Sequence, residues 1–158
     1  TTDLFHVVAE MAQEQGLSFY MLGASEEENA RAVEQVKARY PRLKIVGAHH
    51  GYLSSVDMLR KVHEINRLAP DILWVALGVP HEQFFMSRYG MHLSKVGVIK
   101  TSGGLFNFLS GSRSRAPQWM QRTGLEWLWR LMLEPRRLFW RYCVTNPKAL
   151  YILLTRMR

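Results

Sequence analysis

Four short apolar runs punctuate the first hundred residues, and each one leads into glycine. Leu17–Leu22 stops at Gly23, and Leu43–Val46 leads into GAHHGY. Asp71–Leu77 leads into GVPHEQ, and Val96–Lys100 into TSGGLFNFLSG. The runs start about 27 residues apart, room for one strand, one helix and two turns. Helical patterns fill the gaps. Ser25 and Glu28 have the spacing of a capping box, in which each side chain satisfies the other's orphan backbone donor. Ala30, Val33, Val36 and Tyr40 follow at helical spacing, and Pro41 closes the segment. Val56, Leu59, Val62 and Ile65 mark a second helical face, and residues 84–91 a third. Strands alternating with helices predict an α/β fold with a mostly parallel sheet and right-handed crossovers.

The glycines Gly23, Gly47, Gly51, Gly78, Gly103 and Gly104 are then expected just past strand C-termini. In open α/β sheets ligands bind outside the carboxyl ends of the strands, where helix N-termini offer free N–H groups to anions. A glycine in such a place also serves simply to make a turn. Four glycine turns on one edge point to a nucleotide or sugar-phosphate site. None has G-x-G-x-x-G or P-loop spacing, which argues against a plain NAD enzyme or ATPase.

Charge divides the chain near Ser112. Residues 1–111 hold 11 basic and 11 acidic side chains; residues 112–158 hold 10 basic and 2 acidic, so the whole net charge of +8 lies in the last 47 residues. Trp119, Trp127, Trp129 and Trp140 lie there too. Residues 1–112 are expected to form the α/β core and residues 113–158 a basic helical appendage. Pro135 and Pro147 split that appendage into expected helices over 118–133, 135–144 and 147–157. Arginine beside indole suits a lipid interface, where tryptophan sits at headgroup depth. Packing of the indoles on a core is the plainer alternative, but it leaves the charge segregation unexplained. Nucleic-acid binding would use the same groups, yet arginine dominates over lysine and no RNA-binding motif is present.

One cysteine, Cys143, rules out an internal disulfide framework and suits a reducing compartment. The N-terminus lacks signal-peptide features. His49 and His50 are adjacent and have no metal-ligand spacing, so no metal is expected. Nor is any other cofactor.

Several stretches together resemble the WecG/TagA/CpsF family of bacterial glycosyltransferases. They are DLF, MLGAS, KIVGAHHGY, PDILWVALGVPHEQ, SGGLFNFLSG and, above all, RAPQWMQRTGLEWLWRLMLEPRRLFWRY. The resemblance implies a Rossmann-like core with a membrane-docking appendage. It implies an inverting transferase that moves a sugar from a UDP-sugar to an undecaprenyl-diphosphate-linked sugar at the cytoplasmic face of the cell membrane. N-acetylmannosamine, its uronic acid and glucose all remain open as the sugar, and homo-oligomerisation is compatible with the chain. The donor site would involve Gly23, Ser25, Gly47, Gly51, Tyr52, Gly78, Pro80, Gln83, Gly103, Gly104 and Phe106. The family order beside the G-x-P turn is glutamine then glutamate; here it is Glu82–Gln83. Arg115, in the RAP turn, and Arg130, Arg137 and Arg141 would grip the lipid diphosphate, since guanidinium forks bind phosphate oxygens in pairs. The family's aspartate base has no match in the chain, and is expected upstream of Thr1. His81 or Glu82 could stand in for it. A non-enzymatic nucleotide-sugar or membrane-surface module, and a basic nucleic-acid-binding α/β protein, are the competing classes.

Overall fold

Parallel strands must be joined by crossovers, and here helices make every crossover. In the computed structural model, which describes residues 1–114, 116–133, 135, 136, 143, 147 and 155, four strands form one all-parallel sheet. They are β1 (Ser18–Gly23), β2 (Lys44–His49), β3 (Ile72–Ala76) and β4 (Val98–Thr101), in the order β2-β1-β3-β4. The helices of this part are α1 (Thr2–Gln15), α2 (Glu26–Arg39), α3 (Ser55–Leu68), α4 (His81–Tyr89) and α5 (Leu105–Leu109). The chain divides into two compact units, Thr1–Ser114 and Arg115–Arg158.

The central strands β1 and β3 are buried on both faces. Phe19, Met21, Trp74 and Ala76 point to one face and pack with α1, α2 and α5 through Phe5, Ala9, Ala32, Val36, Leu105 and Phe106. Tyr20, Leu22, Leu73 and Val75 point to the other, against Met58, Val62 and Ile65 of α3 and Phe85 and Tyr89 of α4. The chain moves one way along the sheet from β1 to β2 and the other way from β2 to β4. Keeping one crossover hand while reversing direction requires the connecting helices to change faces, and they do.

α1 is an element that the sequence pattern had left unassigned. Its buried residues Phe5, Ala9 and Ala12 follow helical spacing. It ends at Gly16, whose φ of 72° is left-handed, and Leu17 N–H closes the turn on Ala12 O at 2.9 Å.

The capping box forms as expected: Glu28 N–H meets Ser25 Oγ at 3.3 Å, and Ser25 N–H meets the Glu28 carboxylate at 3.3 Å. The buried face of α2 keeps Val36 and Tyr40, with Val33 packed beside them, as expected, but differs at its start. It carries Asn29, Ala32 and Val36, while Ala30 is exposed. Expected boundaries also shift at two strands. β2 runs on to His49, and β4 starts at Val98, two residues late.

β2 contains an extra residue. Phe19 pairs with Ile45 but Tyr20 pairs with Gly47, which leaves Val46 as a bulge. In the second unit, the single helix expected over 118–133 is two: α6 (Gln118–Arg122) and α7 (Glu126–Leu133). Gly124 at φ 73° breaks them, and Leu125 N–H bonds back to Met120 O at 2.8 Å, the 6→1 bond of a Schellman stop. The helices expected over 135–144 and 147–157 lie outside the described residues.

Candidate functional site

The strand order reverses direction at β1, so the switch point lies between the carboxyl ends of β1 and β3. Three turns meet there. Ala24 takes a left-handed φ of 58° and donates its N–H to Ala76 O at 3.0 Å. Its own carbonyl accepts Gly51 N–H at 2.9 Å. The Asn29 side-chain amide, buried at 4% exposure, reaches Gly23 O at 2.9 Å, His49 O at 3.0 Å and Met21 O at 3.3 Å. One amide therefore satisfies carbonyls of β1 and β2 where their ladders end. This need explains the first turn of α2: Asn29, not Ala30, faces inward.

The other side of the switch point is built by the turns after β3 and β4. Gly78 takes φ 75° and accepts Glu82 N–H at 3.0 Å; Pro80 is the N-cap of α4. Ser102 N–H and Oγ both donate to Val75 O, at 2.8 and 3.0 Å. Gly103 follows at φ 58°, and its N–H donates to Glu82 Oε2 at 2.8 Å. Glu82 is only 9% exposed. On the far side Asn107 donates to the Glu28 carboxylate. Burial pushes the Glu28 carboxyl up, but the Ser25 donors, Asn107 and the charge of Arg113 outweigh it and hold it below the usual range.

The donor-site candidates fall into three groups. Gly23 and Gly47 are demanded by protein packing, and Gly51 lies close against the Leu77 side chain. A Cβ on them would lie 2.3 Å from Ala76 O, 2.4 Å from the Tyr20 ring and 2.3 Å from Leu77 Cδ2, respectively. Gly47 does not follow its strand, as expected, but sits within it, because Tyr20 crosses the space where its side chain would be. Phe106, expected to face ligand, is 0% exposed and belongs to the core beneath α1 and α2. The aromatic run LFNFL is a short helix whose apolar side turns inward.

Gly78 and Gly103 differ from these. Both need positive φ, yet a Cβ on either would meet no atom within 4 Å. Backbone at these turns is open to whatever approaches the sheet edge. Gly104 and Pro80 lie in the same turns; Ser25 lies in the turn after β1, its hydroxyl engaged by Glu28. Tyr52 is largely exposed, and so is Gln83, while its neighbour Glu82 takes the interior position. The Glu82–Gly103 link and the Asn29 clamp were not among the sequence candidates. The reversed Glu82–Gln83 order was the available signal for the first.

The His49 and His50 rings lie with centroids 4.3 Å apart and planes tilted by 40°. His49 Nδ1 pairs with His50 O at 3.0 Å, and Tyr52 N–H donates to His50 Nδ1 at 3.2 Å. Among the described residues no group of three His, Cys, Asp or Glu side chains forms a metal set. Asp71 lies at the opposite, amino edge of the sheet, where its carboxylate accepts Ser18 N–H at 2.7 Å and Ser18 O–H at 2.6 Å. His81 is exposed at the start of α4. Arg115, Arg137 and Arg141 lie outside the described residues, and of Arg130 only its place in α7 is described. Trp119 and Trp127 are half exposed or more. Among the described residues no helix is long and apolar enough to cross a membrane.

The turns at this edge are those quoted in the family landmarks. The profile described as the glycosyl transferase WecG/TagA/CpsF family matches residues 1–158. The chain belongs to this family. Its relatives include a Bacillus subtilis (strain 168) protein named N-acetylglucosaminyldiphosphoundecaprenol N-acetyl-beta-D-mannosaminyltransferase, 36% identical over 146 residues. A protein of the same name from Bacillus spizizenii is 33% identical over 156 residues. The matches cover 92% and 99% of this WecG/TagA/CpsF chain, but 55% and 59% of the relatives. The chain thus spans rather more than half the length of the curated relatives it matches.

Proposed function

We propose that this chain is the greater part of an inverting glycosyltransferase. It moves a sugar from a UDP-sugar to an undecaprenyl-diphosphate-linked saccharide at the cytoplasmic membrane surface. The observation that carries this reading is the match of the whole chain to a glycosyl transferase family. The names of the relatives supply the acceptor class, a diphosphoundecaprenol-linked N-acetylglucosamine, and make N-acetylmannosamine the first sugar to test.

The assignment of roles follows from chemistry. UDP departs with negative charge developing on its β-phosphate, and N–H groups of the glycine turns are suited to meet it. Gly78 and Gly103 leave the backbone approachable at that edge. In the appendage, over residues 113–158, Arg115, Arg130, Arg137 and Arg141 pair with the acceptor diphosphate. A base takes the proton of the acceptor hydroxyl as it attacks the anomeric carbon. That base would come from a segment outside residues 1–158.

UDP titration by calorimetry tests the donor half. Saturable binding that Gly103→Val weakens is expected, because valine both strains φ and fills the open side of the turn. Transfer from UDP-N-acetylmannosamine to a diphosphoundecaprenol-linked acceptor, by a chain extended at its N-terminus, tests the whole. Absence of UDP binding in both forms would sink the reading.

A further inference from the structure

Exposed apolar side chains of the first unit gather at the carboxyl edge, on the face covered by α3 and α4. Tyr52 and Val56 flank Ser54, the N-cap of α3; Val79 and Phe84 flank Pro80, the N-cap of α4. They are 80%, 63%, 53% and 67% exposed. The two segments are neighbours. Gly51 packs against Leu77, and Tyr89 O–H reaches Ser55 O at 3.3 Å. Large apolar groups left in water at one end of a sheet call for an occupant.

The local charge says which kind. Asp57 is paired with Arg60 at 3.3 Å and capped by Ser54 at 2.6 Å, and the Glu82 carboxylate is turned inward onto Gly103. The remaining His, Lys, Arg, Asp and Glu side chains within four residues of these apolar side chains along the chain are His49, His50, His81 and Arg88. This rim therefore does not repel anionic headgroups. A second exposed apolar stripe, Leu4, Val7 and Met11 on α1, has Asp3, Glu10 and Glu14 beside it and is unsuited to such a surface. A phenol and a phenyl ring among aliphatic side chains is also the mixture that settles at the boundary between headgroups and acyl chains.

We propose that this rim is a membrane-contact surface of the core itself, separate from the basic appendage. Tyr52, Val56, Val79 and Phe84 enter the headgroup–acyl boundary of an anionic bilayer and hold the open turns at Gly78 and Gly103 close to it. The inference rests on the reading that the acceptor is lipid-linked, and it adds a specific surface that delivers the site to that lipid.

The test uses the full chain with Cys143→Ser and a single labelling site, Val56→Cys or Phe84→Cys, carrying an environment-sensitive fluorophore. Glu34→Cys, exposed on α2 across the sheet, is the control. With vesicles of phosphatidylcholine and phosphatidylglycerol, a blue shift and roughly twofold rise are expected at 56 and 84, and no change at 34. Unchanged fluorescence at 56 and 84 overturns the proposal, whether or not the protein sediments with the vesicles. The triple variant Tyr52→Ser, Val56→Ser, Phe84→Ser should lose about tenfold in vesicle affinity at high salt, where cationic attraction is screened. Undiminished affinity counts against the rim equally. UDP titration of the same proteins reads the donor site separately, so a failure of the rim is distinguishable from a failure of the proposed activity.

Discussion

The Glu82 carboxylate accepts the backbone N–H of Gly103 at 2.8 Å, and so joins the first turn of α4 to the loop after β4. Glu82→Ala removes a charged acceptor and leaves a donor unpaired. A loss of about 2 kcal/mol is expected in urea denaturation, with Glu82→Gln costing about half of that because the amide oxygen still accepts. In UDP titration the alanine variant is expected to bind more weakly than the glutamine variant. Equal affinities would show that the link is structural alone.

Asn29 is expected to be the most sensitive polar residue of the core. Asn29→Ala leaves the carbonyls of Gly23 and His49 without this donor, a cost of about 2–3 kcal/mol by chemical denaturation. Asn29→Asp should cost more at pH 7, since it sets a carboxylate against three carbonyl oxygens.

The glycines are expected to separate by experiment as they do by geometry. Gly47→Ala drives a methyl into the Tyr20 ring and should destabilise by about 1–3 kcal/mol without changing UDP affinity in the surviving folded protein. Gly103→Ala has open space but a φ of 58°, so a smaller cost of about 1 kcal/mol is expected, together with weaker UDP binding. Thermal melts with and without UDP check both.

Acid should weaken the fold partly through Asp71. The Ser18 hydroxyl and N–H hold its carboxyl below the usual aspartate range. A lowered folded-state pKa stabilises above the unfolded value, about 3.9, and this contribution is lost as pH falls through the folded value. Asp71→Asn should therefore be less stable than wild type at pH 7, and the two denaturation midpoints should converge below about pH 4. A gap that stays constant across this range would remove the carboxylate from the account.

What could be read from sequence was what repeats locally. Apolar runs gave the strands, and Ser25 with Glu28 gave a helix start, because both signals act over a few residues. The site was less legible wherever a residue answers to a distant one. Gly47 looked like a turn glycine because nothing nearby in sequence shows that Tyr20 needs its space. Phe106 looked like part of a ligand loop because its burial depends on α1, about a hundred residues earlier. Ala30 was placed inward in error because Asn29, a polar residue, takes that position to serve the ends of two strands. Gly124 was the missed local cue, a left-handed stop inside a pattern periodic enough to pass for one helix.

The additional residue at Val46 gives β2 two alternations instead of one. Ile45 belongs with Phe19 on the α1 side, whereas His49 pairs with Leu22, which faces α3. Were Val46 instead drawn into the ladder opposite Tyr20, Gly47, Ala48 and His49 would each exchange sides. An imidazole would then enter the Phe5–Trp74 interior, while a methyl took its place on the α3 side. The bulge, rather than alternation alone, determines which chemistry this strand shows to each face of the sheet.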